Sequence, residues 1–249
     1  EPGRIIHWDA EWHWDATYSN FNHQALGGHL VLLGLTEAHQ VWEESPYKIL
    51  EWARKQNAIS GFCHLQYLND QIQNELNCCI PMDYPVEAAL GTIDFVSEDV
   101  YGTTTTNNGT YNSEAAINAY YKLLNCGFRL GLAAGTDYPC NNYEPFGTLL
   151  TYVNVKDKAL TYRKWIEGIR NGNTVVSRNG HNEFIEIKIN EKYGPGDEIK
   201  LGDKGSVSIE VKWTASKELT GRIELVSNGI IIGRQHGSVK PGAPVVLKA

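Results

Sequence analysis

Apolar and polar positions follow two regimes along the chain, and the change comes near residue 180. In the first regime short apolar runs alternate with helical patterns. Arg4–Trp8 is a strand candidate, and His29–Leu35 (HLVLLGL) is a near-continuous apolar run of buried-strand length. Pro46–Gln56 predicts a helix, with Pro in its first turn and Ile49, Leu50, Trp52 and Ala53 on one stripe. Ala58–Cys63 and Thr92–Ser97 predict further strands. Ser113–Asn125 carries the strongest helical signal: Ser113 is a capping residue, Ala116, Tyr120, Leu123 and Leu124 form its stripe, and Gly127 ends it. Strands over Arg129–Ala134 and Thr148–Val155, a helix over Leu160–Arg170 and a strand over Thr174–Ser177 complete this part. In the helix, Tyr162, Trp165, Ile166 and Ile169 share a stripe that predicts packing rather than ligand binding. Such strand–helix alternation predicts an α/β layer or barrel.

After Asn182 the period becomes two. Glu183–Ile189 (EFIEIKI) and Ser206–Lys212 (SVSIEVK) alternate, and Arg222–Val226 and Ile230–Ile232 are short β runs. Gly194-Pro195-Gly196-Asp197, Gly202-Asp203 and Asn228-Gly229 mark turns between them. The expected architecture is an α/β barrel part over residues 1–180, followed by a small all-β sandwich domain over 182–249.

Composition narrows the classes. The 249 residues include Trp 7, Tyr 13 and Phe 6, which excludes an intrinsically disordered chain. No apolar run approaches the ~20 residues of a membrane-spanning helix. The net charge of −7 argues against nucleic acid as the main partner, since phosphate backbones call for a basic surface. That charge is uneven: residues 182–249 hold ten Lys/Arg against nine Asp/Glu, leaving twelve against twenty in 1–181. Either this is a solvated acidic surface, or some carboxylates face a cation. Five cysteines with no CxxC pair exclude a dense disulfide framework. The chain opens Glu-Pro-Gly-Arg without an initiator Met or a signal-peptide pattern, as a processed product or a piece of a longer gene would. A periplasmic or secreted location is the expectation, and the oligomeric state cannot be read.

Most of the eight histidines have plain explanations. His7, His13 and His23 sit in a Trp-rich opening, His39 precedes a helix, and His181 and His236 fall in loops. Four residues stand apart by position. Glu11 follows the strand Arg4–Trp8, His29 stands at the edge of HLVLLGL after Gly27-Gly28, His64 comes directly after AISGFC, and Asp137 follows RLGLAAG. Three of these four fall just beyond the C-terminal end of a predicted strand, where parallel α/β folds gather catalytic groups. Zn²⁺, Mn²⁺ and Fe²⁺ take such mixtures of imidazole and carboxylate. The plain alternatives are an exposed acid in an aromatic loop for Glu11, and hydrogen-bonded strand-end residues for His64 and Asp137.

The same segments resemble a known family. AAGTDYP after an apolar strand is similar to the terminal (G/S)-(S/T)-D motif of the polymerase-and-histidinol-phosphatase (PHP) superfamily of metal-dependent hydrolases. GFCHL resembles its strand-end His, GGHLVLLGL its upstream GH-plus-apolar strand, and IIHWDAEW the strand of its metal-bridging Glu. YYKLLNCGFRLGLAAGTD, FGTLLTYVNV and YRKWIEGIRNGNTVVSRNG, with the closing β segment, resemble more narrowly the CehA/McbA-like branch, which includes carbamate-cleaving hydrolases.

The resemblance implies a partial, distorted PHP-type β/α barrel and hydrolysis of a phosphoester or a carbamate/amide-like ester of a small-molecule substrate. It implies a di- or trinuclear site of divalent metal (Zn, Mn or Fe) with Glu11, His29, His64 and Asp137 as ligands. Glu11 would bridge the ions, and Asp137 would also accept a proton. Arg129, Arg178 and His181 are softer candidates for substrate binding, since a guanidinium fixes anions through paired hydrogen bonds. Surface ion pairing with the many acids of this part is the plain alternative for both arginines.

Two departures qualify the match. The family's opening His-x-His strand and its (I/V)TDH strand have no counterpart, so the expectation is a chain starting inside the barrel and acting as an incomplete, weakly active fragment. Tyr138-Pro139 also stands where many relatives carry a His. The reading from another class is a non-catalytic carbohydrate- or ligand-binding module, supported by Trp8, Trp12, Trp14, Tyr18 and Phe21.

Overall fold

The computed structural model describes residues 8–14, 28–37, 46–63, 84–99, 113–136, 146–156, 159–202 and 205–249; of the side chains within these, those at 8–14, 28–29, 98–99, 113–116 and 118 are not described.

Five strands form one mixed sheet in chain order: β1 (Trp8–Trp14), β2 (Gly28–Leu35), β3 (Ile59–Phe62), β4 (Phe95–Asp99) and β5 (Gly131–Gly135). The pairs β1–β2 and β2–β3 are antiparallel, whereas β3–β4 and β4–β5 are parallel. Helices α1 (Pro46–Lys55), α2 (Tyr84–Leu90) and α3 (Ser113–Asn125) supply the apolar cover for one face. There Leu30, Leu32, Phe62 and Val96 meet Ile49, Leu50, Ala53, Ala88, Ala119 and Leu123. Buried aliphatic and aromatic side chains of this kind contribute ~1.5–3 kcal/mol each.

The opposite face is closed by α4 (Tyr162–Arg170). Its Ile166 and Ile169 are buried against Ile59, Phe95 and Ala133, with Tyr162 and Trp165 packed around them. The stripe expected of this helix is therefore its packing face. Thr161 caps it by accepting from Lys164 N at 3.2 Å. Its docking on β5 requires Gly131: a Cβ there would stand 2.1 Å from Ile169 O.

The antiparallel pair of β6 (Leu150–Val153) and β7 (Thr174–Ser177), joined through α4, stands beside β5. Thr151 Oγ1 accepts from Ala134 N at 2.8 Å and donates to Ala134 O at 3.1 Å. From Glu183 on, every element is a strand. Here β8 (Glu183–Ile189), β9 (Ile209–Ala215) and β12 (Val245–Lys248) form one sheet, and β10 (Leu219–Ser227) pairs with β11 (Ile230–Val239). The two sheets share a core of Val211, Trp213, Ile223, Leu225, Val239 and Leu247. The architecture is thus a distorted α/β barrel followed by a small all-β part.

Several sequence expectations are corrected. The strand expected at Arg4–Trp8 is observed from Trp8 to Trp14, with residues 1–7 outside the described set. Glu11 accordingly lies within a strand, not after one. On α3 Leu123 is buried and Tyr120 packs on the core as expected, Ala119 is buried with them, and Leu124 is exposed. Helix α2 and strand β12 were not anticipated, β9 is shifted toward Ala215, and β11 extends to Val239. Among the described residues no helix is long and apolar enough to cross a membrane.

Candidate active site

Strand direction brings distant parts of the chain to one edge of the sheet. The parallel strands β3, β4 and β5 run toward it, with Phe62 level with Val96, and Asp99 and Gly135 three residues further on. Antiparallel β2 begins there, with Leu30 opposite Phe62, and antiparallel β1 finishes there, with Trp14 opposite Gly28.

Register places two of the candidate ligands on neighbouring strands. Glu11 is paired with Val31, and His29 with His13. Directly paired residues share a face, and alternate residues along a strand do too. Positions 11, 13, 29 and 31 therefore fall on one face, the one on which Val31 packs toward α4. His64 and Asp137 lie outside the described residues; the strands preceding them, β3 and β5, both end at this edge.

The β6–β7 pair reaches the same edge. A Cβ placed on Gly172, just before β7, would lie 4.0 Å from Gly131 Cα at the start of β5, so β5 and β7 start side by side. Thr151, which bonds Ala134, is paired with Val176, setting Ser177 level with the end of β5. Arg178, partly buried, and His181, exposed, follow Ser177 and belong to this rim. His181 sits in a 3₁₀ turn (Gly180–Asn182), with its Nδ1 2.8 Å from Tyr152 Oη.

Arg129 is not brought to this edge. It precedes β5 at the opposite end, is largely exposed, and donates to Glu198 Oε2 at 2.8 Å. That hydrogen bond and the guanidinium charge hold the Glu198 carboxyl below its usual range. Here the ion-pair reading of Arg129 is the one the geometry supports.

Two positions at the strand-end edge were passed over in the sequence. His13 was grouped with an aromatic opening, although WDAEWHW alternates with period two and sets His13 on the same face as Glu11. Asp99 fell beyond the expected end of its strand, yet it closes β4 opposite Gly135.

Among the described residues no group of three or more His, Cys, Asp or Glu side chains could hold a metal ion. The candidate set of two carboxylates and two imidazoles, drawn from Glu11, His29, His64 and Asp137, is nevertheless of the chemical type that Zn²⁺, Mn²⁺ or Fe²⁺ takes. A separate cleft of about 750 Å³ lies between β6–β7 and β8, lined by Tyr152, Asn154, Lys156, Phe184, Glu186 and Tyr193.

No family model and no curated protein matches the chain. Among solved structures it is similar to a two-domain protein from Bacteroides vulgatus ATCC 8482, described as containing a predicted PHP-like metal-dependent phosphoesterase. The TM-score is 0.50 at 14% sequence identity, over 99% of this chain. The fold resembles a PHP-like phosphoesterase. This chain spans 66% of that protein's length, and at such identity the likeness is one of fold alone.

Proposed function

We propose that this chain is a metal-dependent hydrolase of the PHP type, of the CehA/McbA-like branch, with its hydrolase part over residues 1–180 and a β-sandwich domain over 182–249. Its substrate is a small phosphoester or a carbamate/amide-like ester. The observation that carries this reading is the shared edge: β1, β3, β4 and β5 end where β2 begins, with Glu11 and His29 on adjacent strands.

In this reading Glu11, His29, His64 and Asp137 hold one or more divalent cations, Zn²⁺, Mn²⁺ or Fe²⁺. A cation held there supplies positive charge for a phosphoryl or carbonyl oxygen and acidifies a bound water. Asp137 would take a proton of the attacking water on a carboxylate oxygen as the water oxygen bonds to the phosphorus or carbonyl carbon; the bond to the leaving oxygen or nitrogen breaks, and Asp137 would return that proton to the leaving group. Arg178 and His181, on the rim after β7, orient the substrate through its oxygens.

The test is hydrolysis of nitrophenyl phosphate and nitrophenyl acetate by the full chain loaded with Zn²⁺ or Mn²⁺, with bound metal measured in parallel. Chelator-sensitive turnover is expected, and Asp137→Asn or Glu11→Gln should each lower it by at least about 100-fold. Sub-stoichiometric metal together with no chelator-sensitive turnover would refute the reading and favour a binding module.

A further inference from the structure

We infer that Tyr152 is a positioning residue: its hydroxyl donates to His181 Nδ1 and so fixes the imidazole in the tautomer that offers Nε2–H to a substrate oxygen. This rests on the hydrolase reading above for the identity of that oxygen, and on the geometry alone for the pairing.

Two groups face the Tyr152 hydroxyl. Tyr152 Oη lies 2.8 Å from His181 Nδ1 and 3.4 Å from Gly180 O. A phenol has one proton to give, and a neutral imidazole has one nitrogen that donates and one that accepts. If the phenol proton went to Gly180 O, His181 would have to carry its proton on Nδ1. That carbonyl, however, already accepts from Ser177 Oγ at 2.8 Å, and its separation from Tyr152 Oη is long for an O–H···O bond. The phenol proton therefore belongs to the short contact. Nδ1 is the acceptor, and the imidazole proton sits on Nε2. His181 Nε2 has no hydrogen-bond partner among the described residues, and the side chain is exposed. It remains available to a ligand.

Both partners are held in place. The Tyr152 ring is packed edge-on by Phe184 at 5.2 Å and 83°, and it meets the His181 ring at 5.8 Å and 75°. Tyr152 is paired with Val175 across the β6–β7 ladder. The turn that carries His181 is tied down by Gly180 N donating to Thr148 O at 2.7 Å and Asn182 N donating to Asn179 O at 3.1 Å. A neutral N–H fixed beforehand stabilises negative charge developing on a phosphoryl or carbonyl oxygen without reorganising during the reaction. It also donates without placing a second cation beside a metal site.

The test uses ¹⁵N-histidine-labelled full chain at about pH 8.5, where an ordinary imidazole is neutral and a phenol protonated. The expected spectrum has His181 Nδ1 as an unprotonated acceptor and Nε2 protonated. Tyr152→Phe keeps the ring and its packing on Phe184 and should move the tautomer ratio toward Nδ1–H by about fivefold, the weight of one net hydrogen bond. In metal-loaded protein the same variant should lower kcat/KM in proportion to the fall in the Nε2–H fraction, by less than the change in the ratio itself. His181→Gln retains an amide donor near the Nε2 position, so it should keep more activity than His181→Ala, and adding Tyr152→Phe to it should cost nothing further.

A wild-type spectrum dominated by Nδ1–H, or a ratio unchanged in Tyr152→Phe, would overturn the inference. The expected tautomers with no chelator-sensitive hydrolysis would instead refute the hydrolase reading, and would support the Tyr152–His181 pairing on its own.

Discussion

Arg170, the last residue of α4, donates from Nε to Asp94 Oδ1 at 3.0 Å, and its second donor reaches Ala58 O at 3.0 Å. Asp94 Oδ2 in turn accepts from Ser60 N at 3.0 Å. One guanidinium and one carboxylate thus join α4 to the starts of β3 and β4, at the end of the barrel opposite the candidate site. The pair is partly buried, with side chains 31% and 18% exposed, so solvent screens it less than a surface pair.

Arg170→Ala is expected to destabilise the protein by about 1–2 kcal/mol, because Asp94 then keeps a half-buried charge with only a backbone donor. Urea unfolding read by tryptophan fluorescence measures this. A midpoint unchanged from wild type would show that Ile166 and Ile169 hold α4 unaided.

Gly196 has φ +80°, and a Cβ there would lie 2.2 Å from Asn171 O and 2.5 Å from Asn173 Oδ1. Asn173 Oδ1 is buried without a hydrogen-bond partner among the described residues, and the Gly196 backbone approaches it closely. Gly196→Ala should cost roughly 1–3 kcal/mol through strain and displacement of this turn. Thermal unfolding reports the loss, and a melting temperature within a degree or so of wild type would contradict the account.

Asp197 ties the same turn to the barrel by pairing with Lys156 and accepting from Gly194 N at 2.9 Å. The Lys156 hydrogen bond and then the Gly194 N–H hold its carboxyl below the usual 3.8. The folded value lies below the unfolded one, so the stabilisation is complete above the unfolded value and is lost as pH falls through the folded one. Wild type should therefore exceed Asp197→Asn in stability at neutral pH, with the gap closing below about pH 4. Urea midpoints across the acid range test this; a gap constant down to the lowest pH would mean that Asp197 acts through its turn geometry and not its charge.

Legibility in the sequence followed the strength of local periodicity. Strands β7 and β8 were read with their observed bounds, since Thr174–Ser177 follows the helix-ending Asn171-Gly172 and EFIEIKI alternates without interruption. Helix α2 was missed because YPVEAAL is short, has Pro at its second position, and buries only Tyr84, Glu87 and Ala88, which make no sustained stripe. In β1 the alternating Trp residues look like an aromatic cluster in sequence, which masks the period-two strand carrying both Glu11 and His13. Candidate ligands could be named by residue type and strand position. Which of them share a face depends on pairing between strands, and one residue of register reverses that assignment. The Tyr152–His181 contact joins residues 29 positions apart and left no local signal.

Thr151 joins β6 to β5 with a hydroxyl that makes both bonds to Ala134, in place of a run of backbone pairs. A ladder is broken only by separating many groups together, whereas both described hydrogen bonds of this joint come from one rotatable side chain. Packing does the rest: Ile166 and Ile169 of α4 lie in one apolar cluster with Ala133 of β5 and Val153 of β6. The five-stranded sheet and the β6–β7 pair are therefore welded by a shared apolar face and pinned by a single hydroxyl, while each keeps its own ladder.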